Sequence, residues 1–331
     1  MRALLPWVGA FLVAALAAGG AVVALNATVF GPGDFVRVYL DALARGDADS
    51  ALALPGVVVP SIDGVDADGR LLVDGVLSGV GDIHQLSDQA IGGGHDRHRI
   101  TVSWTTPGGD GTTAFEVERV GTRFGLFPEW GFAASPVAVL ALDVQHDPRF
   151  TANGFDASTG RDRTGSAALA VLVPGTYVLS HDTEFLRAAP FTVVAAEAGA
   201  IIDATLDVEP RPELSAAVAG AVTEQLAACA EQRVLFPTGC PFGHPILNRV
   251  VSAPSWTIVT APNLELTPGR FGTWVAGPAP GTAHLVVKVK SLFDGSVSTF
   301  DEDVPFSVRY AVVITGESVQ VTHTDVVPGS D

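Results

Sequence analysis

The spacing of apolar residues changes period several times along this chain. From Ala3 to Leu25 the run is apolar; Arg2 precedes it, and the next charged residue is Asp34. A run of that length suits one membrane crossing, which needs about 20 residues. From Phe35 the apolar positions take helical spacing: Phe35, Val36, Tyr39, Leu40 and Leu43 share one face, with Arg37, Asp41 and Arg45 opposite. Asp34 suits the N-cap or first turn of that helix. Gly46-Asp47 ends it and opens a second short helix through Ala48, Ala51, Leu52 and Leu54, which Pro55-Gly56 stops.

Beyond residue 80 the period falls to two, the signature of strands with one buried face. Ile83–Ala90, Arg99–Thr105, Thr113–Val120 and Phe124–Ala133 read as a meander, separated by Gly92-Gly93-Gly94 and Pro107-Gly108-Gly109-Asp110-Gly111. Val137–Val144, Ala167–Val173, Gly175–Ser180, Phe191–Ala195 and Ala200–Val208 read as the strands of a small sandwich. Glu209-Pro210-Arg211-Pro212 then reads as a stiff linker. A long helix follows over Glu213–Gln232, with Leu214, Val218, Val222, Leu226 and Cys229 on its buried face. Trp256–Thr260, Gly272–Ala276, Ala283–Val289, Phe306–Ile314 and Ser318–His323 complete the strands.

The stretch from Phe35 through Tyr39, Leu43, Gly46 and Asp47 to Ala51 resembles the opening helical pair of NTF2-like (cystatin-like) domains, in which a bent sheet closes over the helices. The resemblance implies that fold for about 100 residues and no particular function, because the fold hosts enzymes, ligand binders and inert modules alike. Leu226-x-x-Cys229-Ala-x-Gln232 with Pro237-Thr-Gly-Cys240-Pro-Phe is similar to a pattern in actinobacterial membrane-anchored surface proteins of unassigned activity. The layout as a whole is distantly similar to the TcaA-like envelope proteins. The expected fold class is therefore α+β. It comprises a membrane helix or signal segment (1–29), an NTF2-like module (30–133), a β-sandwich-like module (134–208) and a second helix-plus-antiparallel-sheet module (209–331).

Composition adds a compartment and removes one class of partner. Arg2 and the terminal amine put the N-terminus in the cytoplasm and the remainder outside. A secretory signal cut near Ala15-Leu16-Ala17 is the competing reading, giving a secreted protein. The net charge of −17, with Lys288 and Lys290 the only lysines, repels nucleic acid and anionic headgroups. The Arg-over-Lys and Ala/Val/Gly bias is that of a high-GC bacterial genome. In an exported chain the two cysteines, Cys229 and Cys240, most simply form a disulfide. A metal site with His244 would want a fourth ligand, and none lies nearby.

The polar clusters carry no complete chemical motif. His95 and His98 flank Asp96-Arg97 at the entry to a strand, where they point to opposite faces. Asp63, Asp66 and Asp68 before Gly69 have the look of a calcium loop, but the EF-hand pattern fails at its first and twelfth positions, Gly64 and Gly75. His146-Asp147 and His181-Asp182 read as turn residues at strand ends. No nucleophile elbow, zincin helix or phosphate loop is present in the sequence. These readings point to a non-enzymatic envelope protein, without cofactor or metal, that contacts another envelope protein or a cell-wall polymer. The alternative is a small-ligand or catalytic pocket inside the first module, lined by Tyr39, His84 and Trp104.

Overall fold

The computed structural model describes residues 16–17 and 30–324, apart from 63, 64, 78, 161–164 and 271. The proposed membrane segment at 1–29, apart from residues 16 and 17, and Asp63 of the acidic cluster lie outside the described residues. Among the described residues no helix is long and apolar enough to cross a membrane.

The chain is predominantly β, with 52% of residues in strands and 16% in helices, and this overturns the α+β expectation. The described α-helices are α1 (Pro32–Ala44), α2 (Ala48–Leu52) and, much later, α3 (Pro212–Ala230). They cover sheets rather than form a layer of comparable weight. The first unit contains α1, α2, a two-residue pair β1 (Ser61–Ile62) and β2 (Val65–Asp66), and an antiparallel sheet. That sheet runs in the order β3 (Gly81–Ala90), β4 (Arg97–Thr106), β5 (Gly109–Arg123) and β6 (Phe127–Phe132). Pro32 starts α1, where its missing N–H costs nothing, and Gly46 at φ +69° lets the chain leave it. Asp47 caps α2 by accepting from the Ser50 amide at 2.9 Å. Val36, Tyr39, Leu40 and Leu43 of α1 meet Ile100, Val102, Phe115, Val117 and Phe132 of the sheet in one core.

The second unit is built from β7 (Val137–Gln145), β8 (Arg149–Ala152), β9 (Phe155–Ser158), β10 (Ser166–Leu172), β11 (Gly175–Asp182), β12 (Leu186–Ala195), β13 (Ile201–Asp207) and β14 (Glu209–Pro210). One sheet has the order β10-β7-β13 and the other β14-β12-β11-β8-β9; β13 runs parallel to β7. The sequence of β7 explains its place. Ala138, Leu140, Leu142 and Val144 face the core of the second unit, while Val137 and Val139 face the core of the first. In β10, Leu169 and Val171 face one way, and Ala170 and Leu172 the other. A strand buried on both faces needs an unbroken apolar run, and Val137–Leu142 and Leu169–Val173 supply two. The three-stranded sheet is thus a wall shared by two cores.

The third unit contains α3 and a six-stranded sheet made of β15 (Arg249–Val250), β16 (Ser255–Thr260), β17 (Leu266–Pro268), β18 (Thr273–Lys290), β19 (Val297–Thr315) and β20 (Ser318–His323). Leu214, Val218, Val222 and Leu226 of α3 join Trp256, Trp274, Leu285, Val308, Tyr310 and Val312 in a core continuous with that of the second unit. The expected linker at 209–212 is no spacer. Glu209 and Pro210 pair with Arg187 and Leu186 as β14, and the Arg211 amide donates to the Phe185 carbonyl at 2.8 Å. Likewise, the expected separate strands at 272–276 and 283–289 are both part of β18. A register shift between Ala276 and Ala279 absorbs Gly277-Pro278. Gly277 sits at φ +88°, and a Cβ there would lie 2.5 Å from the Val308 carbonyl oxygen, so only glycine fits.

Candidate interaction surface

Two of the three residues expected to line a pocket are packed into the interior of the first unit. Tyr39 is 0% exposed; its hydroxyl donates to the carbonyls of Val173 at 2.8 Å and Pro136 at 3.1 Å. Burial pushes that phenol well above its ordinary range. Trp104 is also buried, with Nε1 donating to Thr113 Oγ1 at 2.9 Å; Thr113 Oγ1 in turn donates to the Ala196 carbonyl at 2.8 Å. His84 lies exposed on β3. The three residues do not converge on a cavity: two are core groups fixed by hydrogen bonds, and the third faces solvent.

The other polar clusters are also committed to structure. His98 Nδ1 lies 2.6 Å from Asp88 Oδ1, Arg97 and Arg99 pair with Glu116, and Arg119 pairs with Asp96. Asp68 is bound by Arg70, which holds its carboxyl below the usual range. Asp147 takes the Arg149 guanidinium at 2.9 and 2.7 Å and the Arg149 amide at 2.8 Å. His181 is not a turn residue: it follows Tyr177 and Leu179 on the inward face of β11, and its Nδ1 lies 2.9 Å from the Arg149 carbonyl oxygen. Its Nε2 is sealed from solvent with no partner among the described residues. Among the described residues no group of three or more His, Cys, Asp or Glu could hold a metal.

Cys229 and Cys240 are joined, with Cα atoms 5.8 Å apart. The bridge ties the last turn of α3 to the segment that follows. Gln232 supports the same segment, accepting from the Thr238 amide at 2.8 Å and donating to the Thr238 carbonyl at 3.2 Å. Trp256 Nε1 donates to the Val234 carbonyl at 2.8 Å, so the chain after the helix is pinned at both ends.

The surface itself offers a cluster that is not used internally. The turn joining β18 to β19 carries Leu292 at 75% and Phe293 at 100% exposure, beside Leu247 at 92% and Val297 at 61%. This turn is well formed. The Ser291 amide donates to the Ser296 carbonyl at 2.8 Å, and Asp294 Oδ1 accepts from the Ser296 amide at 3.0 Å. The Ser296 amide and hydroxyl, both donating to Asp294 Oδ1, hold that carboxyl below its usual range. The Leu292 amide donates to Asn248 Oδ1 at 3.4 Å, bringing Leu247 alongside. Beneath the apolar tip, Lys288 and Lys290 stand two apart on one face of β18, and Arg249 sits directly across from Lys290. All three are exposed and make no ion pair among the described residues. Like charges opposite each other across a strand pair are destabilising. Large apolar side chains left in water each forgo roughly 1.5–3 kcal/mol. Sequence reasoning missed this cluster, although one signal was present: the only two lysines precede Ser291-Leu292-Phe293-Asp294-Gly295, a turn with apolar residues where turns are normally polar.

No family model, curated protein or solved structure matches the chain.

Proposed function

We propose that this chain is a non-enzymatic, membrane-anchored protein of the bacterial envelope whose exported part binds an anionic envelope component, protein or cell-wall polymer, through the β18–β19 tip. The observation that carries this reading is the cationic and apolar tip itself. In a chain of net charge −17, three cations without ion-pair partners among the described residues are gathered under exposed Leu247, Leu292 and Phe293. An acidic rim around an apolar contact is the complement of that surface. The Cys229–Cys240 bridge supports an oxidising compartment, and the run from Ala3 to Leu25 supports the anchor.

The test is retention of the protein on isolated envelope and on purified wall polymer. Binding is expected to weaken as salt is raised, and to fall at least tenfold in the Lys288→Glu/Lys290→Glu double variant and in Phe293→Ser. Undiminished binding by both variants overturns the reading. Alkaline phosphatase fused after residue 331 is expected to be active; an inactive fusion of a stably expressed chain rules out export.

A further inference from the structure

The second hairpin of note, β5–β6, lies against Phe30, just before α1. Phe30 stacks on Phe127 with ring centroids 4.5 Å apart, and Trp130 Nε1 donates to the Phe30 carbonyl at 2.9 Å. Both partners belong to β6, so the chain at residue 30 is fastened to this hairpin. The turn of the hairpin is Arg123-Phe124-Gly125-Leu126, with Phe124 at φ +55° and Gly125 at φ +69°. Two successive positive-φ residues suit Asn-Gly, and an aromatic in the first place is strained there. That Phe124 nevertheless occupies it, with its side chain 85% exposed, is not explained by packing within the chain. Leu126 is 57% and Val120 54% exposed on the same hairpin. A cleft of about 440 Å³ separates the hairpin from the start of α1, with walls that include Phe30, Phe35, Val38, Val120 and Trp130.

We infer that the β5–β6 tip is a second, shallow membrane contact: Phe124 and Leu126 enter the lipid–water interface, and Arg123 reaches headgroup phosphates. The inference rests on the anchor reading of residues 3–25. The apolar run ends at Leu25, and the five steps to Phe30 span at most roughly 17 Å when fully extended. Phe124 is three residues from Phe127, which Phe30 touches, so the tip is held close to the exit point. Aromatic side chains concentrate at the headgroup level, where an apolar ring and a wet surface are both satisfied. Arg123 is 62% exposed and paired only loosely, at 3.4 Å, with Glu129, which leaves its guanidinium free to turn toward phosphate. The consequence is orientation: two contacts fix the exported body relative to the bilayer, where a single helix would leave it free to swing.

The test uses the full chain reconstituted into phosphatidylcholine–phosphatidylglycerol vesicles and washed in alkaline carbonate. A nitroxide is placed at Phe124→Cys, at Leu126→Cys and, as a water-facing reference, at Ser215→Cys on the exposed face of α3. Dissolved oxygen and a neutral nickel complex then compete as relaxants. Labels at 124 and 126 are expected to be relaxed more by oxygen than by nickel, with 215 showing the reverse. Labels at 124 and 126 that match 215, in a chain that stays with the washed vesicles, overturn the hairpin contact and leave the anchor standing. Release of the chain by carbonate overturns the anchor and the hairpin contact with it. Protection of 124 and 126 from both relaxants identifies a protein occupant, such as a second copy, and equally overturns the lipid assignment.

Discussion

Tyr39 shows how one hydroxyl joins two units. Its ring packs edge-on against Phe115 and Phe132, at 5.9 and 5.1 Å, inside the first core. Its O–H leaves that core to reach carbonyls at Pro136 and Val173, at the start of β7 and just past β10. Removing the hydroxyl leaves buried carbonyl oxygens short of a donor, at a cost of about 1–3 kcal/mol. Tyr39→Phe is therefore expected to lower the denaturant midpoint with an unchanged slope; an unaltered midpoint would show the bonds to be dispensable. His284 offers a second residue-level reading. The hydrogen bond with Asp303, and the nearby Asp301, raise its pKa above the ordinary 6.5. A raised folded-state value means that the pair's contribution is complete below 6.5 and is lost as pH rises through the raised value. The imidazole titration followed by NMR is expected to move to lower pH in Asp303→Asn; an unmoved midpoint would exclude the pairing. At this scale the sequence was partly legible. The helical face that includes Tyr39, Leu40 and Leu43 could be read from spacing, but the resemblance to a bent-sheet fold also made Tyr39 a candidate pocket residue. Only the two carbonyl partners, 97 and 134 residues away, show it to be a structural group. His181 was misread for the opposite reason: its neighbour Asp182 suggested a turn, whereas the alternation Tyr177, Leu179, His181 marks an inward strand face.

Among the elements, α3 depends most on a single covalent link. Its apolar residues Leu214, Val218, Val222 and Leu226 recur every four, and Cys229 follows at the next turn. The disulfide closes a loop with a sequence separation of 11, which stabilises by about 2–3 kcal/mol through the unfolded chain. Reduction is expected to lower stability by that amount while the far-ultraviolet signal of the sheets persists. A midpoint indifferent to reductant would show that Gln232 and Trp256 alone hold the segment. The pairing of Cys229 with Cys240 could be read from their count and spacing. The double-sided burial of β7 and β10 was less legible. Their continuous apolar runs suit a strand wherever both faces are covered, but the run does not say what covers them. The second cover is the first unit, and nothing local to residues 137–142 or 169–173 names it.

In the whole molecule the units are stitched rather than strung. The β10-β7-β13 wall is buried against the first core on one face and the second on the other, and α3 carries the second into the third. Polar ties cross the same boundaries: the Asp68 amide donates to the Ala168 carbonyl at 2.8 Å, Asn153 Nδ2 to the Val76 carbonyl at 2.6 Å, and the Gly272 amide to the His146 carbonyl at 3.1 Å. The His146 ring lies 5.5 Å from that of Trp274, another contact between second and third units. A chain of separate modules would melt in steps, because its linkers transmit no stability. Here a core truncation in α3 must be felt in both flanking sheets. Leu214→Ala removes a fully buried side chain one turn into the helix, next to β14, and is expected to cost about 2–5 kcal/mol. Calorimetry of the wild-type chain is expected to show the second and third units in one transition, shifted as a whole by this variant. A variant that splits the transition, moving only the part assigned to residues 249–323, would instead make the third unit an independent domain. The distinction bears on the proposed function, since a rigid body would transmit a contact at the β18–β19 tip to the proposed membrane anchor, whereas loosely joined modules would not.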